Sequence, residues 1–153
     1  MHLNQIKLYN IVKENFPCQD RVQIFNFAIS GRNETVKFNI SWDTLCSSLS
    51  DNVSNSHESY LVKCFNLFDF LNFHDISRID LLKIDCEGAE YEIFNSIPDE
   101  YFSQIKKIHV EFHENDGEKI RSLIDKLERN GFKWIFEKDK NYNSDLGLIF
   151  ARK

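Results

Sequence analysis

The chain has 153 residues, 42% of them hydrophobic, and a formal charge of −5. That is room for one domain around one core, and its interspersed charges, without a Lys or Arg block, exclude the electrostatic footprint of a nucleic-acid binder. No apolar run nears the roughly 20 residues of a bilayer span, and residues 1–30 lack a basic stretch followed by an apolar signal core.

Cys18, Cys46, Cys64 and Cys86 are spaced too widely for a C-x-x-C metal or redox motif. Isolated thiols fit a reducing compartment, so the expected location is the cytoplasm.

Along the chain, Leu3, Ile6, Leu8, Ile11, Val12 and Phe16 fall mostly at helical spacing, and Pro17 ends the pattern. Val22 to Ile29 is rich in β-branched and aromatic residues and reads as a strand. The turn Ser30-Gly31-Arg32-Asn33 follows, and Thr35 to Ile40 alternates as a second strand. Ser41 to Ser59 is loaded with Ser, Asn and Asp, which compete for backbone hydrogen bonds, and reads as a long loop. A loop of this length is either a lid or substrate-selecting segment or a surface insertion.

Tyr60 to Phe65 reads as a strand and Leu67 to Phe73 as a short helical turn. Ile79 to Ile84 is a near-continuous apolar run broken by Asp80 and Lys83, as expected of a central strand covered on both faces. Gly88 to Ser96 reads as a helix, Lys107 to His113 as a strand, and Glu118 to Asn130 as an amphipathic helix stopped by Gly131. Phe132 to Glu137 and Leu146 to Ala151 close the chain as strands joined by the polar stretch Lys138 to Asp145. The alternation predicts an α/β fold with a mainly parallel sheet and an antiparallel last strand.

The most informative stretch runs from Ile79 to Phe94 and contains Asp85-Cys86-Glu87-Gly88-Ala89-Glu90. It resembles the signature of FkbM-type methyltransferases, in which a central strand ends in an Asp-x-Glu-Gly-x-Glu turn that opens a helix. Asn26 to Ser30 resembles the family's third strand and turn, and Val110-Glu111-Phe112-His113 its fifth-strand ending. Nearly all 153 residues can be laid along the family pattern. The resemblance implies a Rossmann-like class I methyltransferase fold and S-adenosylmethionine as donor. It also implies that residues 1–153 form a single partial domain, its carboxy-terminal part, with the first two strands missing.

General topology points to the same place. Ligands of open α/β sheets gather beyond the carboxyl ends of the strands, where Asp85 and Glu87 leave one strand and Glu111 and His113 the next. A carboxylate beside an imidazole can accept a proton from a substrate hydroxyl attacking an electrophilic methyl group, so Asp85, Glu111 and His113 are the candidate catalytic residues. Carboxylates there could also hold a divalent metal through oxygen ligands, although no metal motif is found.

Each residue also has a structural reading. Asp85 could cap the helix near Gly88, and Glu87 could complement that helix's positive end. Function is favoured for Asp85, and both readings stand for Glu87 and for His113. Glu90 and Glu92 read as solvated helix positions, and His109 as a packing or edge residue within its strand.

Of the donor-binding features that the family implies, the glycine-rich turn is absent: no two of Gly31, Gly88, Gly117, Gly131 and Gly147 form G-x-G. The contacts left to the donor are an adenine edge at Asn26, Phe27 and Ala28, plus the Asp85 region, so binding by this chain alone is expected to be weak or absent. The resemblance implies O-methylation of a hydroxyl on a sugar or secondary metabolite. The alternatives are a non-catalytic remnant or interaction module lacking donor binding, or a gene start assigned downstream of the true one. Exposed strand edges predict self-association or a companion chain.

Overall fold

The computed structural model describes residues 3–16, 21–41, 56–86, 88–113, 117–138 and 146–153. Helix α1 (Leu3–Asn15) precedes strands β1 (Ala28–Ser30), β2 (Glu34–Ser41) and β3 (Ser56–Asn66), then helix α2 (Leu67–Phe73). The second half comprises β4 (Leu82–Ile84), α3 (Glu90–Ser96), a 3-10 helix (Asp99–Gln104), β5 (Lys107–His113), α4 (Gly117–Arg129), β6 (Lys133–Lys138) and β7 (Leu146–Arg152).

The described strands form two mixed sheets, where the sequence predicts one mainly parallel sheet. The first has the order β1-β3-β2 and the second β4-β5-β7-β6. Parallel pairing is confined to β1 with β3 and β4 with β5, whereas β2 with β3, β5 with β7 and β6 with β7 run antiparallel. The cause lies in β1 and β4, three residues each, which make a ladder on one side only and do not join the two sheets.

Three strand limits differ from the sequence pattern. Residues 22–27 are not a strand, because Phe25 and Phe27 are drawn into an aromatic cluster: Phe25 lies edge-on to Phe70 at 5.0 Å and to His74 at 4.9 Å, and Phe27 meets Phe65 at 4.6 Å. The run from Ile79 narrows to β4, with Ile79 making only an isolated parallel bridge to Ile105. Between them Asp80 turns outward to pair with Arg78 at 3.0 Å and Lys106 at 2.8 Å. The predicted loop from Ser41 is shortened, since Ser56 to Ser59 belong to β3 and pair with Asn39 to Ser41 across a register irregularity. Its remainder, 42–55, lies outside the described residues, as does 139–145 of the predicted final turn.

The core gathers around the second sheet. Ile108, Val110 and Phe112 of β5 and Ile149 of β7 are at most 1% exposed, as are Ile93 and Phe94 of α3 and Leu123 and Leu127 of α4. Burying each such side chain contributes about 1.5–3 kcal/mol, so this layer dominates stability. The 3-10 helix, which periodicity did not reveal, adds Phe102, whose ring meets Phe94 at 5.2 Å.

The first sheet is fastened to this layer through its turn. Asn66 caps α2 by accepting from Phe68 N at 2.8 Å and Asp69 N at 3.3 Å, and its Nδ2 donates to the Gly31 carbonyl at 2.6 Å. Arg32 Nε reaches Glu92 of α3 at 2.9 Å. A Cβ at Gly31 would lie 2.3 Å from Glu92 Cγ and 2.8 Å from the Glu92 carbonyl oxygen, so only glycine allows this close approach.

Candidate functional site

β4 delivers its chain to the site over a short path. Ile84 is buried in the core, while Asp85 emerges exposed at the strand's carboxyl end. The chain then reaches Gly88, whose φ of 108° is a conformation that L side chains rarely adopt, before α3 begins at Glu90. Glu87 lies outside the described residues.

The capping alternative for Asp85 is not realised. The N-cap of α3 is Ala89, which makes no side-chain cap bond. Asp85 instead accepts from Lys83 Nζ at 2.5 Å. That bond holds the Lys83 ammonium above its ordinary pKa against the opposing effect of desolvation, and the charges of Asp85 and then Glu111 add to the rise.

Glu90 corrects the expectation of a solvated helix position. It is 0% exposed, and its carboxylate accepts from Cys86 N at 3.1 Å and from Gly88 N at 2.8 and 3.0 Å. Two backbone donors of the turn thereby gain partners, as a capping-box glutamate satisfies donors at a helix start. The signal was present in the sequence as an acidic residue two positions after Gly88, but its burial was not legible there. Glu92, by contrast, is exposed and pairs with Arg32 as a surface residue.

Between these residues Cys86 is half-buried, and burial pushes its thiol pKa up, opposed by a backbone hydrogen bond at Asp85 and reinforced by the charge of Glu90. A raised pKa disfavours the thiolate form at neutral pH.

The register Ile84↔Val110 and Lys83↔His109 places Glu111 on the same side of the second sheet as Lys83. Asp85 and Glu111 thus each follow directly on the last pair of the parallel β4-β5 ladder, Ile84↔Val110, and Lys83 interacts electrostatically with both. His113 is the last residue of β5, opposite Leu146, and its side chain lies outside the described residues. His109 does not enter this group; its ring stacks on Phe150 at 4.2 Å.

The expected adenine edge is only partly separate from the core. Asn26 is exposed, Phe27 is half-buried in the aromatic cluster, and Ala28 opens β1 opposite Cys64. The cleft lined by Leu81, His109, Trp134 and Phe150 and the one lined by Tyr9, Phe16, Val22 and Phe25 include none of Asn26, Phe27, Ala28 and Asp85. No group of three or more His, Cys, Asp or Glu among the described residues is placed to hold a metal ion. No helix among them is long and apolar enough to cross a membrane.

With this geometry in hand, the comparison with known families is decisive, for the sequence matches the methyltransferase FkbM domain over residues 5–134. The chain belongs to the FkbM methyltransferase family. It is 34% identical over 79 residues to methyltransferase sdnD of Sordaria araneosa, a match covering 51% of this chain and 30% of that protein. The matched segment thus spans less than a third of the relative's length. No solved structure matches. Within the FkbM domain described here, the Asp-x-Glu-Gly-x-Glu turn is the segment joining β4 to α3, and the Val-Glu-Phe-His segment is the end of β5.

Proposed function

We propose that this FkbM chain serves methyl transfer from S-adenosylmethionine to a hydroxyl oxygen of a sugar or secondary metabolite. One observation carries the reading: in a member of a methyltransferase family, Asp85 and Glu111 each follow directly on the last pair of the parallel β4-β5 ladder. In this reading Asp85 orients the acceptor hydroxyl, and Glu111, with His113 beyond it on the strand, takes the proton. Bound S-adenosylmethionine supplies the electrophilic methyl carbon.

The described residues fit that donor only in part. Asn26, Phe27 and Ala28 offer an adenine edge and Asp85 a polar contact, but no two glycines of the sequence form the G-x-G turn that would cradle the rest of the donor. The chain alone should therefore bind the donor more weakly than micromolar, since micromolar affinity requires about −8 kcal/mol. Calorimetric titration measures this directly.

A second reading, an interaction module without donor binding, is supported by the edges of β1 and β4. Among the described residues each carries a ladder on one side only, and such an edge accepts a strand from a companion chain. Release of S-adenosylhomocysteine at millimolar donor, with polyol and phenol acceptors, separates the readings. Turnover that falls roughly 10²–10⁴-fold in Asp85→Asn and His113→Gln, with both variants folded, supports catalysis. Absence of turnover under donor saturation favours the interaction module.

A further inference from the structure

The second sheet has two faces of different character. Its inner face packs on α3 and α4 and holds Ile84, Val110 and Ile149. Residues paired directly across a ladder share a face, so the register defines the outer face row by row. The first row is Lys107, Arg152 and Lys133; the second is Lys83, His109, Phe150 and Ile135; the third is Glu111, Leu148 and Glu137.

Charge divides this face along the strand direction. One row is basic, the row two residues further is acidic except for Leu148, and the row between holds the stacked pair His109–Phe150, Ile135 and, at its β4 end, Lys83, whose charge is paired with Asp85. Ile135 is 69% exposed and Phe150 37%, with Leu81 beside the basic row 59% exposed. A cleft of about 550 Å³ opens along the apolar and basic rows. Lys107, Lys133, Arg152 and Glu137 have no ion-pair partner among the described residues. Three adjacent cations without counter-charges repel one another across the ladder.

We propose that this outer face docks a second copy of the chain, related by a two-fold axis that lies across the strands along the row of His109, Phe150 and Ile135. The charge pattern selects the axis. Lys133 stands two residues before Ile135 and Glu137 two after, about 7 Å to either side, and Lys107 and Glu111 flank His109 in the same way. Rotation about that axis lays each basic row on the acidic row of the other copy. A two-fold axis along the strands would instead set basic row against basic row. Two sheets can stack face to face about 10 Å apart with their strands roughly aligned, and a self-complementary patch is what a two-fold dimer requires. The contact also lays Leu81 and Lys107 of the second copy over Asp85 and Glu111, walling the candidate site on one side. The inference rests on the sheet face and not on the methyl-transfer reading.

The test uses β6, two strands away from β5, so it leaves the candidate site residues unchanged. Sedimentation equilibrium of the full chain at up to roughly 100 µM should show a monomer–dimer equilibrium. Lys133→Glu and Glu137→Lys should each weaken the dimer at least about tenfold, because each substitution acts twice across the axis. The double swap Lys133→Glu with Glu137→Lys restores complementarity and should return the dissociation constant to within about threefold of wild type. Ile135→Asp, at an exposed position, should give a folded monomer by circular dichroism. A wild type that stays monomeric, a dimer indifferent to the single swaps, a double swap no better than either single, or open-ended assembly through strand edges would each overturn the proposal.

Discussion

Replacing Glu90 should unfasten the turn that presents Asp85. Its buried carboxylate accepts from two backbone donors, Cys86 N and Gly88 N, with Oε1 serving both and Oε2 lying 3.0 Å from Gly88 N. In Glu90→Ala both donors lose this acceptor in a partly buried turn, at about 1–3 kcal/mol each, offset by release from the cost of burying a carboxylate. The net expectation is a loss of about 2–5 kcal/mol. Glu90→Gln can keep its oxygen at the Oε1 position and retain both bonds, but it loses the charge and brings an amide N–H₂ against Gly88 N. A loss of about 1–2 kcal/mol follows. Urea unfolding followed by circular dichroism gives both values, and hydrogen exchange at the Cys86 and Gly88 amides reports the turn itself. If Glu90→Ala unfolds within about 0.5 kcal/mol of wild type and those amides stay protected, the carboxylate does not hold the turn and the reasoning fails.

Two further outcomes follow from buried ionisable groups. Lys126→Met keeps the aliphatic length but removes an ammonium that donates to the carbonyls of Phe94 at 3.2 Å, Asn95 at 3.0 Å and Ile97 at 2.7 Å. It should cost about 2–3 kcal/mol in thermal or urea unfolding, since burial already lowers the ammonium's pKa and offsets part of the gain. The folded-state pKa of Cys86 is raised chiefly by burial, so the folded state binds its proton more tightly than the unfolded state. This contribution is fully present below the ordinary thiol value of 9.0 and is lost as pH rises through the higher folded value. Wild type should therefore lose stability relative to Cys86→Ala above that pH, and a constant difference between them from pH 7 to roughly 10.5 would refute the assignment.

The elements most legible in the sequence are those whose fate is decided locally. Amphipathic spacing located α4, alternation located β2, and Gly131, with φ of 78°, ends α4 as its position suggests. What the sequence did not reveal depends on partners distant along the chain. Phe25 and Phe27 carry strand-like composition, yet Phe65, Phe70 and His74 take them into an aromatic cluster. Of the candidate site, Asp85 and Glu111 were legible because strand ends in a parallel pair meet by topology. Glu90 and Lys126 were not, because a carboxylate and an ammonium read as solvent-facing until tertiary packing encloses them.

These two buried charges bear on how a helix of seven residues, α3, can fix the geometry of the site. A helix this short has little stability of its own and depends on what holds its ends. Glu90 places negative charge in the first turn, where the backbone donors are unsatisfied, and Lys126 reaches from α4 to carbonyls at or just beyond the last turn. Both charges complement the helix dipole in sign. The face between them is pressed into the core by Ile93 and Phe94, and on its outer side Glu92 ties the helix to the Gly31–Arg32 turn. The position of Asp85 is thus set from both directions: β4 hydrogen-bonds to β5 ahead of it, and the backbone that follows is bound to a helix whose two ends are each held by a buried charge.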